Sequence, residues 1–204
     1  MQNSKSKFNW KLPLCSAIGF GIGGAVGAAA GVAVGFNIGL AIGNIIESVT
    51  GIAVGLAIMN AVGFAIAGAA GGAIGGASLG LVLKDKKKIL YLSCAGAVGF
   101  GIGFALASSF SGAIWGVIGT AVRGAIGGAI GGASLGFALK CKKKILYLSC
   151  AGAVGFGIGF AVGEFIALVI GGVTGSAAGF AVGFFIGGAA LGYALAYLRT
   201  NQLK

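Results

Sequence analysis

The chain has 204 residues, 44 of them glycine and one proline; 58% are hydrophobic, 8% are charged, and the mean hydropathy is +1.06. Soluble domains carry about 25% charged residues, so a water-soluble globule is excluded. Collagen fails on its missing three-residue glycine period, and disorder fails on the high apolar content. The net charge of +11 comes from fourteen Lys and Arg against three acids, and there is no histidine. These properties predict an all-α, polytopic integral membrane bundle, and lysine clusters divide it into tandem helical hairpins.

Residues 1–11 form a basic tail carrying Lys5, Lys7 and Lys11. Residues 12–83 predict a first, long hairpin that turns at the polar spot Asn44, Glu47, Ser48 and Thr50. Lys84, Lys86, Lys87 and Lys88 open a second hairpin over 84–139, turning at Ser108, Ser109, Ser111 and Gly112. Lys140, Lys142, Lys143 and Lys144 open a third over 140–198, turning at Gly171, Gly172, Thr174 and Gly175, and 199–204 is a basic C-terminal tail. A span needs about 20 apolar residues, and basic loops stay on the cytoplasmic side. Two spans between successive clusters give six in all, with both termini cytoplasmic. Trp10, Tyr91, Tyr147, Tyr193 and Tyr197 flank basic residues as an inner aromatic belt, while Trp115 marks the outer interface.

The first hairpin is long for this scheme. Three spans broken near Asn37 and Asn60 would match the bilayer thickness better. They would, however, put the N-terminal lysines outside and Glu47 near the middle of a span, where a carboxylate is costly. The lysine counts favour the long hairpin.

Two repeats are superposed on this plan. Gly71 to Ala105 and Gly127 to Ala161 are identical at 32 of 35 positions at an offset of 56, differing at Leu81/Phe137, Val82/Ala138 and Asp85/Cys141. Ala17 to Gly23 echoes Ala97 to Gly103. Such copies point the same way across the membrane and predict a quasi-ring or a side-by-side array of hairpins. The finer repeat is in the glycines. Sorted by position modulo four, 25 fall in one class, 16 in the next, 3 in the third and none in the last. On a helix that spacing follows an i±4n ridge, where missing side chains let a neighbouring helix approach closely.

The matching residues are Gly19, Gly23, Gly27, Gly31, Gly35, Gly39 and Gly43, the pair Gly127 and Gly131, and Gly175, Gly179 and Gly183. In them the chain resembles glycine-zipper membrane segments. That resemblance implies tight helix packing and self-association, and no particular chemistry. Gly-Phe-Gly-Ile-Gly at 19–23, 99–103 and 155–159 also looks like the glycine-rich half of rotary-ATPase proteolipid hairpins. The mid-membrane carboxylate of those hairpins is missing, because Glu47, Asp85 and Glu164 all fall near predicted span ends.

Enzymatic chemistry is not expected. Three scattered acids and no histidine supply neither a triad, nor paired carboxylates, nor a metal cage, and no cofactor motif stands out from the glycine background. The basic residues are split into short loops without stacking aromatics, which argues against nucleic acid and for anionic lipid headgroups, at about 1 kcal/mol per basic residue near the surface. The functional expectation is a structural or scaffolding protein. A pore is the alternative, with Asn37, Asn60, Ser78, Ser93, Ser134 and Ser149 as its few polar liners.

Overall fold

A computed structural model describes residues 10–50, 55–111, 116–140 and 142–201. Those residues are 95% helical and contain no strand. Six helices follow in order: α1 Lys11–Thr50, α2 Gly55–Val82, α3 Lys86–Ser111, α4 Val117–Ala138, α5 Lys142–Ile170 and α6 Gly172–Asn201. Five apolar helical segments are long enough to cross a membrane: Lys11–Thr50, Ala57–Val82, Lys86–Ser108, Lys142–Ile170 and Thr174–Thr200. The exception is α4, whose 22 residues include Arg123 and seven glycines. These helices fit a multi-pass integral membrane protein.

Each helix packs antiparallel against its neighbours in sequence, and α1 closes on α6. Leu12, Ser16 and Phe20 of α1 lie against Gly192 and Gly188 of α6. The result is a closed six-membered ring. Its alternation gathers Lys11, Lys84, Lys86 to Lys88, Lys140, Lys142 to Lys144 and Arg199 at one end. Glu47, Arg123 and Glu164 lie toward the other.

The four-residue period corresponds to the faces of the ring. In α3, Val98, Ile102 and Leu106 are exposed on the outside, Gly99 and Gly103 face α4, Phe100 and Phe104 point into the ring, and Gly101 faces α2. α5 repeats this arrangement with Val154, Ile158 and Val162 outside, Gly155 and Gly159 against α6, and Phe156 and Phe160 inside. α1 has Ile18, Ile22 and Val26 outside and Phe20 inside. A step of four residues advances about 400° on a helix, so each class drifts slowly enough to hold one face over several turns.

The polar spot at 44–50, expected to form the first far-side turn, lies within helix α1 instead. α1 continues to Thr50, and residues 51–54, between it and α2, lie outside the described residues. The helix absorbs these polar side chains by bonding them back to its own carbonyls: Ser48 donates to Ile45 O at 2.7 Å and Thr50 to Ile46 O at 2.7 Å. Asn37 does the same, donating to Ala33 O at 2.5 Å, so α1 runs unbroken through it for 40 residues, about 60 Å at 1.5 Å per residue. Residues 12–83 therefore hold two helices. The expected tail lysines Lys5, Lys7 and Lys204, together with Gly112, Trp115 and Cys141, also lie outside the described residues.

The other turns have specific backbone causes. Gly171 separates α5 from α6 with φ +75°, and Gly116 precedes α4 with φ +80°. At the lysine end, Lys84 and Lys140 occupy the left-handed region, with φ 55° and 53°. Their amides bond back to Leu81 O at 3.0 Å and Phe137 O at 2.8 Å. A side chain in that conformation costs roughly 1–2 kcal/mol, and glycine is the usual residue there. Lys84→Gly and Lys140→Gly are therefore each expected to raise unfolding stability by about 1 kcal/mol, measured by thermal melts in detergent. A fall in midpoint for both would refute the assignment of strain to these turns.

Candidate functional site

The axis of the ring is filled by aromatic rings. Phe20 from α1, Phe100 and Phe104 from α3, Phe156 from α5 and Phe184 from α6 are each 0% exposed. Ring centroids lie 5.4 Å apart for Phe20 and Phe100, 4.9 Å for Phe100 and Phe156, and 5.2 Å for Phe156 and Phe184. Phe104 and Phe160 follow at 5.1 Å. Each ring needs glycine opposite it. A Cβ on Gly75 would run into Phe20, one on Gly131 into Phe100 and one on Gly187 into Phe156. These glycines are spaced 56 apart, so three hairpins contribute equivalent pairs about a quasi-threefold axis.

The symmetry is broken at one place. Gly127 makes room for Phe104 and Gly183 for Phe160, but the corresponding position in α1 is Gly24, which has no ring to offer. Phe184 of α6 fills that volume, packed against both Gly24 and Gly71. Below this layer, toward the lysine end, Leu79, Leu92, Leu135, Leu148 and Leu191 are almost fully buried and continue the same core cluster.

The glycines singled out from sequence lie between helices. Gly19 faces Ser78, Gly23 faces Gly71, Gly27 faces Ala67, Gly31 and Gly35 face Gly63, and Gly39 faces Met59, all across α1 and α2. Gly127 and Gly131 face rings of α3, while Gly175, Gly179 and Gly183 face α5. At each of these eleven an added Cβ would come within 3.0 Å of a neighbour. Gly43 is buried near the far end of α1. The lysine-loop residues sit where the chain turns. Asp85 accepts amide hydrogens from Lys87 at 3.1 Å and Lys88 at 3.4 Å, capping α3. The Lys88 ammonium, 3.0 Å away, holds the Asp85 carboxyl below its ordinary pKa.

The serines proposed as pore liners act differently. Ser93 donates to Ala73 O at 3.0 Å, Ser149 to Ala129 O at 3.0 Å and Ser134 to Ala95 O at 2.8 Å, each joining two helices. Ser78 bonds to Gly75 O of its own helix at 2.7 Å. Asn60 does line a cavity, of about 210 Å³, with Met59, Phe64 and Phe180.

An adjoining cavity of about 390 Å³ opens at the far end among α2, α4, α5 and α6. Thr120, Arg123, Glu164 and Ser176 line it beside Phe64, Phe160 and Phe180. The Arg123 guanidinium lies 4.0 Å from the centroid of Phe64, a cation–π contact strengthened by partial desolvation. Glu164 acts on it through its opposite charge. This vestibule was not evident in the sequence beyond two isolated charges. Their separation of 41 residues became a juxtaposition only through the α4 and α5 pairing. Removing one half-buried charge leaves the other uncompensated, whereas removing both does not. Glu164→Gln is thus expected to cost about 1–2 kcal/mol, less than the roughly 3–5 kcal/mol of a fully buried pair, and Arg123→Leu with Glu164→Leu to cost less than the sum of the two single losses. Additive losses in a double-mutant melt would show the two charges to be independent.

Comparison with protein-family models, with curated proteins and with solved structures returns no match to this chain. Among the described residues no group of three or more histidine, cysteine or acidic side chains could hold a metal ion.

Proposed function

We propose that the protein is a multi-pass integral membrane protein of structural type, a six-span ring held by glycine-zipper packing, with both termini and the lysine loops on the cytoplasmic face. The observation that carries this reading is the phenylalanine layer. Seven rings from four helices (Phe20, Phe100, Phe104, Phe156, Phe160, Phe180 and Phe184) cross the axis in mutual contact, and the vestibule ends against them. A structural role also suits the acids, which are divided between the two ends of the ring and converge on no reaction centre. The outer surface of Ile18, Ile22, Val98, Ile102, Val154 and Ile158 is suited to lipid.

Self-association belongs to this reading, and it would use the outer aliphatic face, since the glycine ridges face helices of the same chain. Cross-linking in native membranes is expected to trap homo-oligomers, and a strictly monomeric product would remove that part. The sealed axis is tested with purified protein in liposomes. Ion flux and dye release are expected to equal those of protein-free vesicles, and a selective conductance would establish the pore reading in its place.

A further inference from the structure

At the lysine end the ring encloses a cavity of about 230 Å³ lined by Leu83, Lys88, Leu139, Lys144, Leu195 and Arg199. Leu83, Leu139 and Leu195 are spaced 56 apart, as are Lys88 and Lys144, and Arg199 falls one residue short of the third equivalent place. Equivalent residues of three hairpins can share one small cavity only where the quasi-threefold axis passes. The cavity therefore sits on that axis, capping the leucine layer.

Three cations border it, and no acid is among its described lining residues. Asp85 bonds Lys88 from the loop side, and Glu47 and Glu164 belong to the opposite end. Helix stability does not explain the lysines. Lys88 and Lys144 lie in the first turns of α3 and α5, where the helix dipole disfavours positive charge. Three like charges around one cavity repel one another, and an anion between them reverses the sign of that interaction. The volume is below the roughly 300 Å³ at which drug-sized sites begin, so the occupant is compact. Lysine supplies point charges and arginine a two-pronged donor, the usual pairing for phosphate oxygens.

We propose that this axial cavity binds a compact phosphate or phosphomonoester group through Lys88 Nζ, Lys144 Nζ and the Arg199 guanidinium. The proposal deepens the headgroup reading of the lysine loops but differs from it in outcome, because diffuse attraction depends on total charge and this site depends on three positions.

The test uses the full chain in phosphatidylcholine nanodiscs at constant ionic strength. One arm titrates inorganic phosphate and pyrophosphate, and the other replaces them with phosphatidic acid in the disc; both read the thermal midpoint and, for soluble ligands, binding heat. A saturable rise is expected in at least one arm. A response to the soluble anions alone assigns free phosphate, a response to the doped discs alone assigns the lipid headgroup, and a response to both assigns the shared group. The triple variant K88Q/K144Q/R199Q is expected to weaken apparent affinity at least tenfold. K86Q/K142Q/K143Q removes the same charge from the same end outside the cavity and is expected to leave affinity within twofold. K144R, which keeps the charge, should retain the response if the triple variant fails to fold. Equal loss in the two triple variants, or no saturable response in either arm, overturns the proposal.

Discussion

Gly128→Leu is expected to force α4 from α5 and to cost upwards of about 3 kcal/mol, at or beyond the upper end of ordinary overpacking. Gly128 meets the carbonyl of Gly152, and Gly152 in turn meets the carbonyl of Gly128. The same line of contact continues through Gly124 at Phe156 O, Gly132 at Leu148 O and Gly136 at the Ile145 backbone. The obstacle in each case is main chain, which cannot rotate aside as a side chain can. A leucine there must translate a whole helix. In lipid that loss is not offset, because helix association draws on close van der Waals contact rather than on a hydrophobic drive. The equivalent Gly72→Leu, which would strike Gly96 O, should behave alike at α2 and α3. Two controls separate packing from composition. Val98→Leu on the outer face should fall within about 0.5 kcal/mol of the parent. Gly116→Ala, with φ +80°, ψ −154° and nothing within 4 Å, should cost only the roughly 1–3 kcal/mol of a backbone region that is essentially glycine's alone. If Gly128→Leu melts with Val98→Leu, close glycine packing is not what holds the ring.

The second large effect concerns the axis. Replacing Phe100, Phe156 and Phe184 together by alanine removes three rings that touch one another, and the expected result is a leak: ion flux through reconstituted protein rising at least tenfold above the parent. A single Phe100→Ala should destabilise by about 2 kcal/mol. That is below the roughly 3–5 kcal/mol of the same truncation in a soluble core, since the unfolded reference in lipid is itself apolar and only packing and aromatic contacts are lost. Those contacts are worth about 0.5–1.5 kcal/mol per pair. A triple variant that stays folded and sealed would place the permeability barrier elsewhere, with the leucine layer of Leu79, Leu135 and Leu191 next in line. Thermal melts of the triple variant distinguish a leak through a folded ring from simple collapse.

The helical class was readable from hydropathy alone, and the lysine clusters located the near-side turns because charge is costly inside a membrane. The polar spot at 44–50 does not turn the chain, and for a definite reason. Ser48 and Thr50 look like turn formers, yet a helix accommodates them by accepting their hydroxyl hydrogens on its own carbonyls. The phase of the glycine period, which no single helix needs to keep through a turn, has a plainer account in the ring. The offsets of 56 and 80 that relate equivalent helices are both multiples of four, so each copy inherits the same assignment of faces. The central phenylalanines were not legible. Phe100 and Ile102 both alternate with glycine in one apolar segment, and nothing local separates them. Only the convergence of Phe20, Phe156 and Phe184 on Phe100 distinguishes the inward ring from the outward-facing isoleucine two residues on. Arg123 and Glu164 were likewise hidden, because nothing in their local sequence records that α4 and α5 bring them to one cavity.

The exchange at Gly24 bears on how the chain assembles. Phe184 occupies the volume that α1 and α2 leave open, and it belongs to α6, the helix that closes on α1. Without α6, the first hairpin holds an unfilled notch at Gly24 and Gly71. Closure is thus keyed at the seam between α1 and α6, since the equivalent positions in α2 and α4 are Gly72 and Gly128, which carry no ring to fill it.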